Sequence, residues 1–202
     1  MKNTTPIIAL LVLVSASLPA QTSMSSKRTP ILSQDRVGVS YAKSGDAEYM
    51  TVSTHAALGE YLTASASYID VGGDVLGYTL DGRLTRVGLG ARFAVGSGEI
   101  NLGYAYGIGA IVVGNGLAGN IGEQDAFSLG YRYAFSKELE FSVDVSHLSS
   151  DTIGGSFSVT PVTASIRYNI GQFDITAAYS TEDAYGLVKD ENTFSLGVGV
   201  SF

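Results

Sequence analysis

From Asp35 to the C-terminus, large apolar residues recur at every second position, with small or polar residues between them. A period of two marks a strand with two unlike faces. The pattern predicts about ten runs, each near the length that a tilted membrane-crossing strand needs. They are Arg36–Lys43, Glu48–Leu58, Tyr61–Asp70, Arg83–Val95, Glu99–Ala110, Asp125–Phe135, Leu139–Ser149, Val159–Ile170, Phe173–Thr181 and Asn192–Phe202.

One face of each run carries the apolar residues. In the fourth run these are Val87, Leu89, Ala91, Phe93 and Val95; in the last they are Phe194, Leu196, Val198, Val200 and Phe202. The reading places no Asp, Glu, Lys or Arg on this face within a run, where a basic residue at a bilayer midplane would cost about 2–4 kcal/mol. The opposite face carries Gly, Ser, Thr and Ala together with the charges Arg86, Arg92, Arg132, Glu140, Asp144, Arg167 and Asp174. A soluble barrel fills its interior with large apolar side chains. Here the faces are inverted, as they are when lipid is the apolar partner.

The connections alternate in length. Short turns are expected at Gly59-Glu60, Gly96–Gly98, Ser136–Glu138 and Gly171-Gln172, and longer acidic or Gly-rich loops at Val71–Gly82, Ile111–Gln124 and Glu182–Glu191. Short periplasmic turns and longer outer loops are the outer-membrane arrangement, and an even strand count returns both termini to the periplasm. Aromatics gather at both strand ends, with Phe93, Phe135, Phe141, Tyr168, Phe173 and Phe202 near the short turns. Tyr68, Tyr106, Phe127, Tyr179 and Phe194 lie near the loops. These are expected interfacial girdles.

The one continuous apolar stretch, Ile7–Val14, follows Lys2 and precedes Ser15–Ala20. It is too short to span a bilayer as a helix and has the layout of a secretory signal. The expected division is a signal peptide over 1–20, a flexible leader over 21–34 containing Lys27, Arg28 and Pro30, and a barrel over 35–202; cleavage after Ala16 is the alternative. The chain has 202 residues, no Cys and a net charge of −7. It therefore has no disulfide, no thiolate metal site and no lipidation cysteine, and its charge argues against nucleic acid.

The C-terminal run Phe194-Ser195-Leu196-Gly197-Val198-Gly199-Val200-Ser201-Phe202 resembles the final strand of bacterial outer-membrane barrels. With the signal and the strand pattern, the chain resembles small outer-membrane β-barrel proteins of porin-like type over nearly its whole mature length. The resemblance implies an integral outer-membrane location, contact with lipid and lipopolysaccharide, and recognition of the strand ending in Phe202 by the barrel-assembly machinery. It implies no cofactor and leaves function open.

Three sets of residues are candidates for chemistry. The interior charges Arg86, Arg92, Arg132, Glu140, Asp144, Arg167 and Asp174 would line a pore. Arg132 faces Glu140 across one short turn and Arg167 faces Asp174 across the next, so they could brace the barrel or select ions. His55 joins this face alone, with no second His to make a metal site. The outer segments hold Asp46, Glu48, Asp70, Asp74, Asp81, Glu123, Asp125, Asp151, Glu182, Asp183, Asp190 and Glu191 against Lys43, Arg83 and Lys189. They would form a cation-attracting mouth, or a rim that meets lipopolysaccharide through divalent cations. Last, His147-Leu148-Ser149 resembles the His-x-Ser element of outer-membrane lipid A deacylases, in which His acts as base and Ser as nucleophile. Ser150 stands where that family has Asn, and the adjoining run offers no Glu as third member. The Gly-rich segments Gly114-Asn115-Gly116 and Gly154-Gly155 precede strands rather than helices, so they are not phosphate loops.

The expected protein is an all-β, antiparallel, up-and-down transmembrane barrel of about ten strands, with eight if the first hairpin stays out. Its expected function is a narrow channel with cation preference, or a structural barrel. The alternatives are a lipid A esterase using His147 and Ser149, and a loop-mediated adhesin or receptor.

Overall fold

The computed structural model describes residues 35–75, 78–113, 117–152, 155–187 and 191–202. The expected signal peptide and leader, the Gly114–Gly116 segment, Gly154, Lys189 and Asp190 lie outside the described residues, and so does the side chain of Asp74.

The strands are β1 (Arg36–Ser44), β2 (Ala47–Ala57), β3 (Leu62–Val75), β4 (Tyr78–Val95), β5 (Gly98–Val113), β6 (Leu117–Ala134), β7 (Leu139–Thr152), β8 (Gly155–Val159), β9 (Val162–Ile170), β10 (Phe173–Ser180) and β11 (Thr193–Ser201). Each pairs antiparallel with its neighbours; β1 pairs with β11 and β6 with β7, which closes the sheet on itself. β8 and β9 both pair with β7 and share one place in the ring, so the barrel has ten strand positions. The first hairpin is part of the wall, which settles ten against eight.

The single expected run Val159–Ile170 is broken at Thr160-Pro161. Proline has no N–H to give the ladder. The Pro161 carbonyl still accepts from the Ser146 N–H at 3.0 Å, so β7 stays attached across the break.

The large apolar side chains point outward. Leu89 is 68% exposed, Phe135 65% and Phe173 64%, while Glu140 and Gln124 are each 3% exposed. In water this would be an inside-out protein. In a bilayer it is the low-energy arrangement, because lipid takes the place of a core and the strands leave no open edge across the apolar zone. The girdle residues Phe93, Phe135, Tyr168, Phe173, Phe127, Tyr179 and Phe194 are all exposed, whereas Tyr68 is buried.

Two expectations are corrected. Val71–Gly82 and Ile111–Gln124 are not loops: β3 runs to Val75, β4 starts at Tyr78, β5 runs to Val113 and β6 starts at Leu117. The hairpins continue as paired strands past the apolar band, where side chains no longer need to be greasy, so polarity and glycine mimic a loop signal. The outward face also carries charge after all. Lys43, Glu48, Asp70, Arg83 and Asp125 occupy it at the outer ends of their strands, with Lys43 opposite Glu48 and Asp70 opposite Arg83. These charges mark where the apolar band stops.

Candidate functional site

The lumen holds two constructions, one at each end. At the end of the short turns, charged side chains from seven strands alternate in sign around the wall. Arg36 on β1 gives Asp174 on β10 a two-pronged contact, at 2.7 Å from Nε and 2.6 Å from Nη2. Arg167 on β9 lies 3.9 Å from Asp174 and 3.5 Å from Glu140 on β7. Arg132 on β6 lies 3.0 Å from that same Glu140. Glu99 on β5 stands opposite Arg132 in register and 4.0 Å from Arg92 on β4. Arg92 also donates to the carbonyls of Gly59 and Glu60, pinning the β2–β3 turn.

Glycines make the room. A Cβ on Gly199 would sit 2.4 Å from the Arg36 Nε, and one on Gly38 would sit 2.7 Å from its Nη1. Their absence lets the Arg36 side chain pass over β11 to reach Asp174. Gly130 likewise makes space for the Asp144 carboxylate, which accepts from Ser142 Oγ at 3.1 Å. Asn169 donates to Glu140 at 2.9 Å.

Side-chain exposures separate the two signs. The four arginines are 14–22% exposed and the carboxylates of Glu99, Glu140 and Asp174 are 1–9% exposed. The acids lie against the wall and the guanidiniums face the lumen. Burying a charge is costly unless it is paired and hydrogen-bonded, and each acid here has basic partners. His55 on β2 is opposite Arg36 in register and completes the layer.

At the other end the connection between β10 and β11 turns inward. β10 stops at Ser180 and the chain enters the lumen, with Asp183 fully buried. The Asp183 carboxylate accepts from the backbone N–H of Tyr185 at 3.2 Å and of Leu187 at 2.6 Å, and from the Tyr49 hydroxyl at 3.2 Å. Gly186, at φ 66°, takes the left-handed conformation that this tight reversal needs. The Tyr185 ring stacks on Tyr49 with centroids 4.2 Å apart. Its hydroxyl accepts from Thr51, and burial raises that phenol above its ordinary pKa. The Tyr185 carbonyl accepts from Arg86 and, at 2.8 Å, from Gln124; the Gly186 carbonyl accepts from Ser150 at 2.9 Å. Tyr185 and Leu187 pack on a small apolar cluster that includes Tyr49, Ile69 and Leu84. The segment thus reaches from its root on β10 and β11 to β2, β4, β6 and β7.

Arg92, Arg132, Glu140, Asp144, Arg167 and Asp174 face the lumen in the inner half, and Arg86 faces it under the inserted segment. Asp183, grouped with the solvated outer acids, is instead the buried anchor of that segment. Asp70 and Arg83 are 3.6 Å apart on the outer wall and do not line the mouth. His147 and Ser149 also lie on the outer wall. His147 Nδ1 is 3.1 Å from Thr160 Oγ1, and the Thr160 N–H donates to Glu182 at 2.7 Å. Asp125 is opposite Ser149 and accepts from the Tyr104 hydroxyl.

The sequence reading missed Arg36, Glu99, Gln124 and Tyr185. Arg36 and Glu99 each open a run and so look like boundary charges, although the period of two places both on the lumen face. For Tyr185 the signal is Tyr185-Gly186-Leu187, an apolar reversal inside an acidic stretch.

No family model matches the chain, and no curated protein matches it. Solved outer-membrane barrels do. An outer membrane channel from Pseudomonas putida F1 aligns with a TM-score of 0.51 at 8% identity, over 88% of this chain and all of that one (100%). The NanC porin aligns with a TM-score of 0.50 at 12% identity, over 83% of this chain and 100% of NanC. A loop-deletion form of OmpT of Vibrio cholerae aligns at 0.40 and 16% identity over 83% of this chain, which spans 62% of that protein. The first two share this fold, which is that of outer-membrane porins and channels.

Proposed function

We propose that this protein is a narrow porin-like channel of the bacterial outer membrane, integral, with both termini in the periplasm. The observation that carries this reading is the polar lumen. Within an apolar exterior, the inner half of the lumen is lined by Ser, Thr, Gly and paired charges, and the aliphatic packing is confined to the small cluster under the inserted segment in the outer half. Such a wall favours water and small polar solutes. Arg36, Arg92, Arg132 and Arg167 balance Glu99, Glu140, Asp144 and Asp174, so the inner layer is close to neutral. Cation preference then comes from the acidic outer segments and the net charge of −7, and is weak. The outward carboxylates Glu48, Asp70 and Asp125 lie where lipopolysaccharide headgroups would meet them through divalent cations. The last strand, ending in Phe202, presents the barrel to the assembly machinery. Liposome swelling with a small neutral sugar tests the passage. Swelling above that of protein-free vesicles supports it, and none from a folded barrel contradicts it.

One specific observation favours a second reading, an esterase acting on lipid A. His147 Nδ1 lies 3.1 Å from Thr160 Oγ1, so an N–H donated there would leave Nε2 as the base, and Ser149 is on the same face. An apolar depression on the outer wall, lined by Leu62, Leu89, Leu102, Tyr104, Phe127 and Val145, runs up to His147. Fatty-acid release from lipid A that disappears in both Ser149→Ala and His147→Ala would establish this activity.

A further inference from the structure

We infer that Asp183–Leu187 is a displaceable plug that closes the outer half of the lumen. The inference rests on the channel reading above and specifies how passage is controlled.

Three observations point to this role. First, the segment crosses the lumen. It is rooted between β10 and β11 and is held by Tyr49 and Thr51 on β2, Arg86 on β4, Gln124 on β6 and Ser150 on β7. In the ring those strands reach the wall opposite its root, so a solute entering from the outer side meets it.

Second, the wall does not depend on it. β10 pairs with β11 from Phe173 to Ser180, and β11 pairs with β1 along its whole length. Neither ladder uses a residue of the plug. By contrast, every member of the inner layer sits on a strand and cannot leave without breaking the wall.

Third, most of what it touches is suited to water. The Arg86 guanidinium, the Gln124 amide and the hydroxyls of Tyr49, Thr51 and Ser150 can all be hydrated when the plug withdraws. The Arg86 Nε is buried and has no hydrogen-bond partner among the described residues. The plug therefore satisfies this site incompletely, which lowers the cost of leaving it. The apolar contacts of Tyr185 and Leu187 are what return it to the closed position.

The chain has no cysteine of its own, so an engineered disulfide is unambiguous. A Cβ placed on Gly186 would lie 3.0 Å from the Leu148 Cβ, slightly inside the roughly 3.5–4.5 Å of a disulfide; Cys at φ 66° strains the reversal alike in both redox states, so the comparison is made within one variant. The test is single-channel recording of the refolded mature chain carrying Leu148→Cys and Gly186→Cys, before and after reduction. With the cross-link confirmed by mass, current should fall at least tenfold in the oxidised form and return on reduction. A second variant, Tyr185→Ser with Leu187→Ser, leaves the backbone intact and should raise the fraction of time spent open several-fold. Oxidised channels that conduct as freely as reduced ones, or an open fraction unchanged in the double-serine variant, would overturn the plug while leaving the channel standing. Silence from the folded double-serine variant would overturn both.

Discussion

The two ends of the lumen are narrowed by different means. The inner end is lined by charged side chains fixed to the wall, and the outer end is crossed by a piece of backbone hung from two strands. In the inner layer every charge is carried by a β-strand and answered across the lumen face by a neighbour, from Arg36 through Asp174, Arg167, Glu140, Arg132 and Glu99 to Arg92. At the outer end, a single acid, Asp183, gathers a reversal around itself, and the wall supplies donors to two carbonyls. A filter that must keep its shape belongs on strands. A closure that must yield belongs on a connection, where local opening costs little of the global stability.

The largest effect is expected at Glu140, which Arg132 and Arg167 share. Glu140→Ala removes the closest acid of both guanidiniums, leaving Arg167 only the longer contact to Asp174 and Arg132 only its ladder neighbour Glu99, and should destabilise the barrel by about 3–5 kcal/mol. Urea unfolding in lipid vesicles reads this directly, and a loss as small as that of a surface variant would mean the layer is hydrated rather than structural. The next effect concerns space. Gly199→Val should push the Arg36 side chain off Asp174, an overpacking cost of about 1–3 kcal/mol, while Gly59→Ala, at φ 91° with open space around it, should strain its own turn without disturbing that contact. At the outer end, Tyr185→Ala should cost only about 0.5–1.5 kcal/mol beyond its lost apolar area, with a gain in conductance that no inner-layer variant reproduces. The smallest effect is expected outside the lumen altogether. Asp70 and Arg83 are about half exposed, and Arg83→Ala should change stability by about 0–1 kcal/mol.

The same division decides what could be read from the sequence. Wherever the backbone is a regular strand, alternation places the side chain, so the outward Leu89 and Phe135 and the inward Arg132 and Glu140 follow from counting by two. The closeness of Arg132 to Glu140 and of Arg167 to Asp174 follows as well, though as diagonal neighbours rather than the facing pairs expected: Arg132 stands opposite Ser142 and Asp174 opposite Asn169. The second partner of Arg167, Glu140, comes from the β7–β9 ladder and is equally regular. The reading fails where hydrophobicity stops reporting on structure. Beyond the bilayer, Val71–Gly82 pairs as a hairpin without needing apolar residues, so it reads as loop. At Asp183 the failure is deeper. An acid between Glu182 and Ala184 looks solvated, and only the three-dimensional return of the chain to Tyr49 shows that it is buried. No periodicity encodes a contact between residues that far apart in a segment with no regular structure.

Cation selectivity joins both ends in one quantity. The inner layer is balanced, so Arg132→Gln, which removes a positive charge there, should move the preference further toward cations. The most direct test of the account is the current through single refolded barrels held in a planar bilayer under a potassium chloride gradient. Small steps that open and close are expected, with a reversal potential displaced modestly to the cation side. A folded barrel that passes no current at any voltage, both as the natural chain and with Tyr185→Ser and Leu187→Ser, would contradict it.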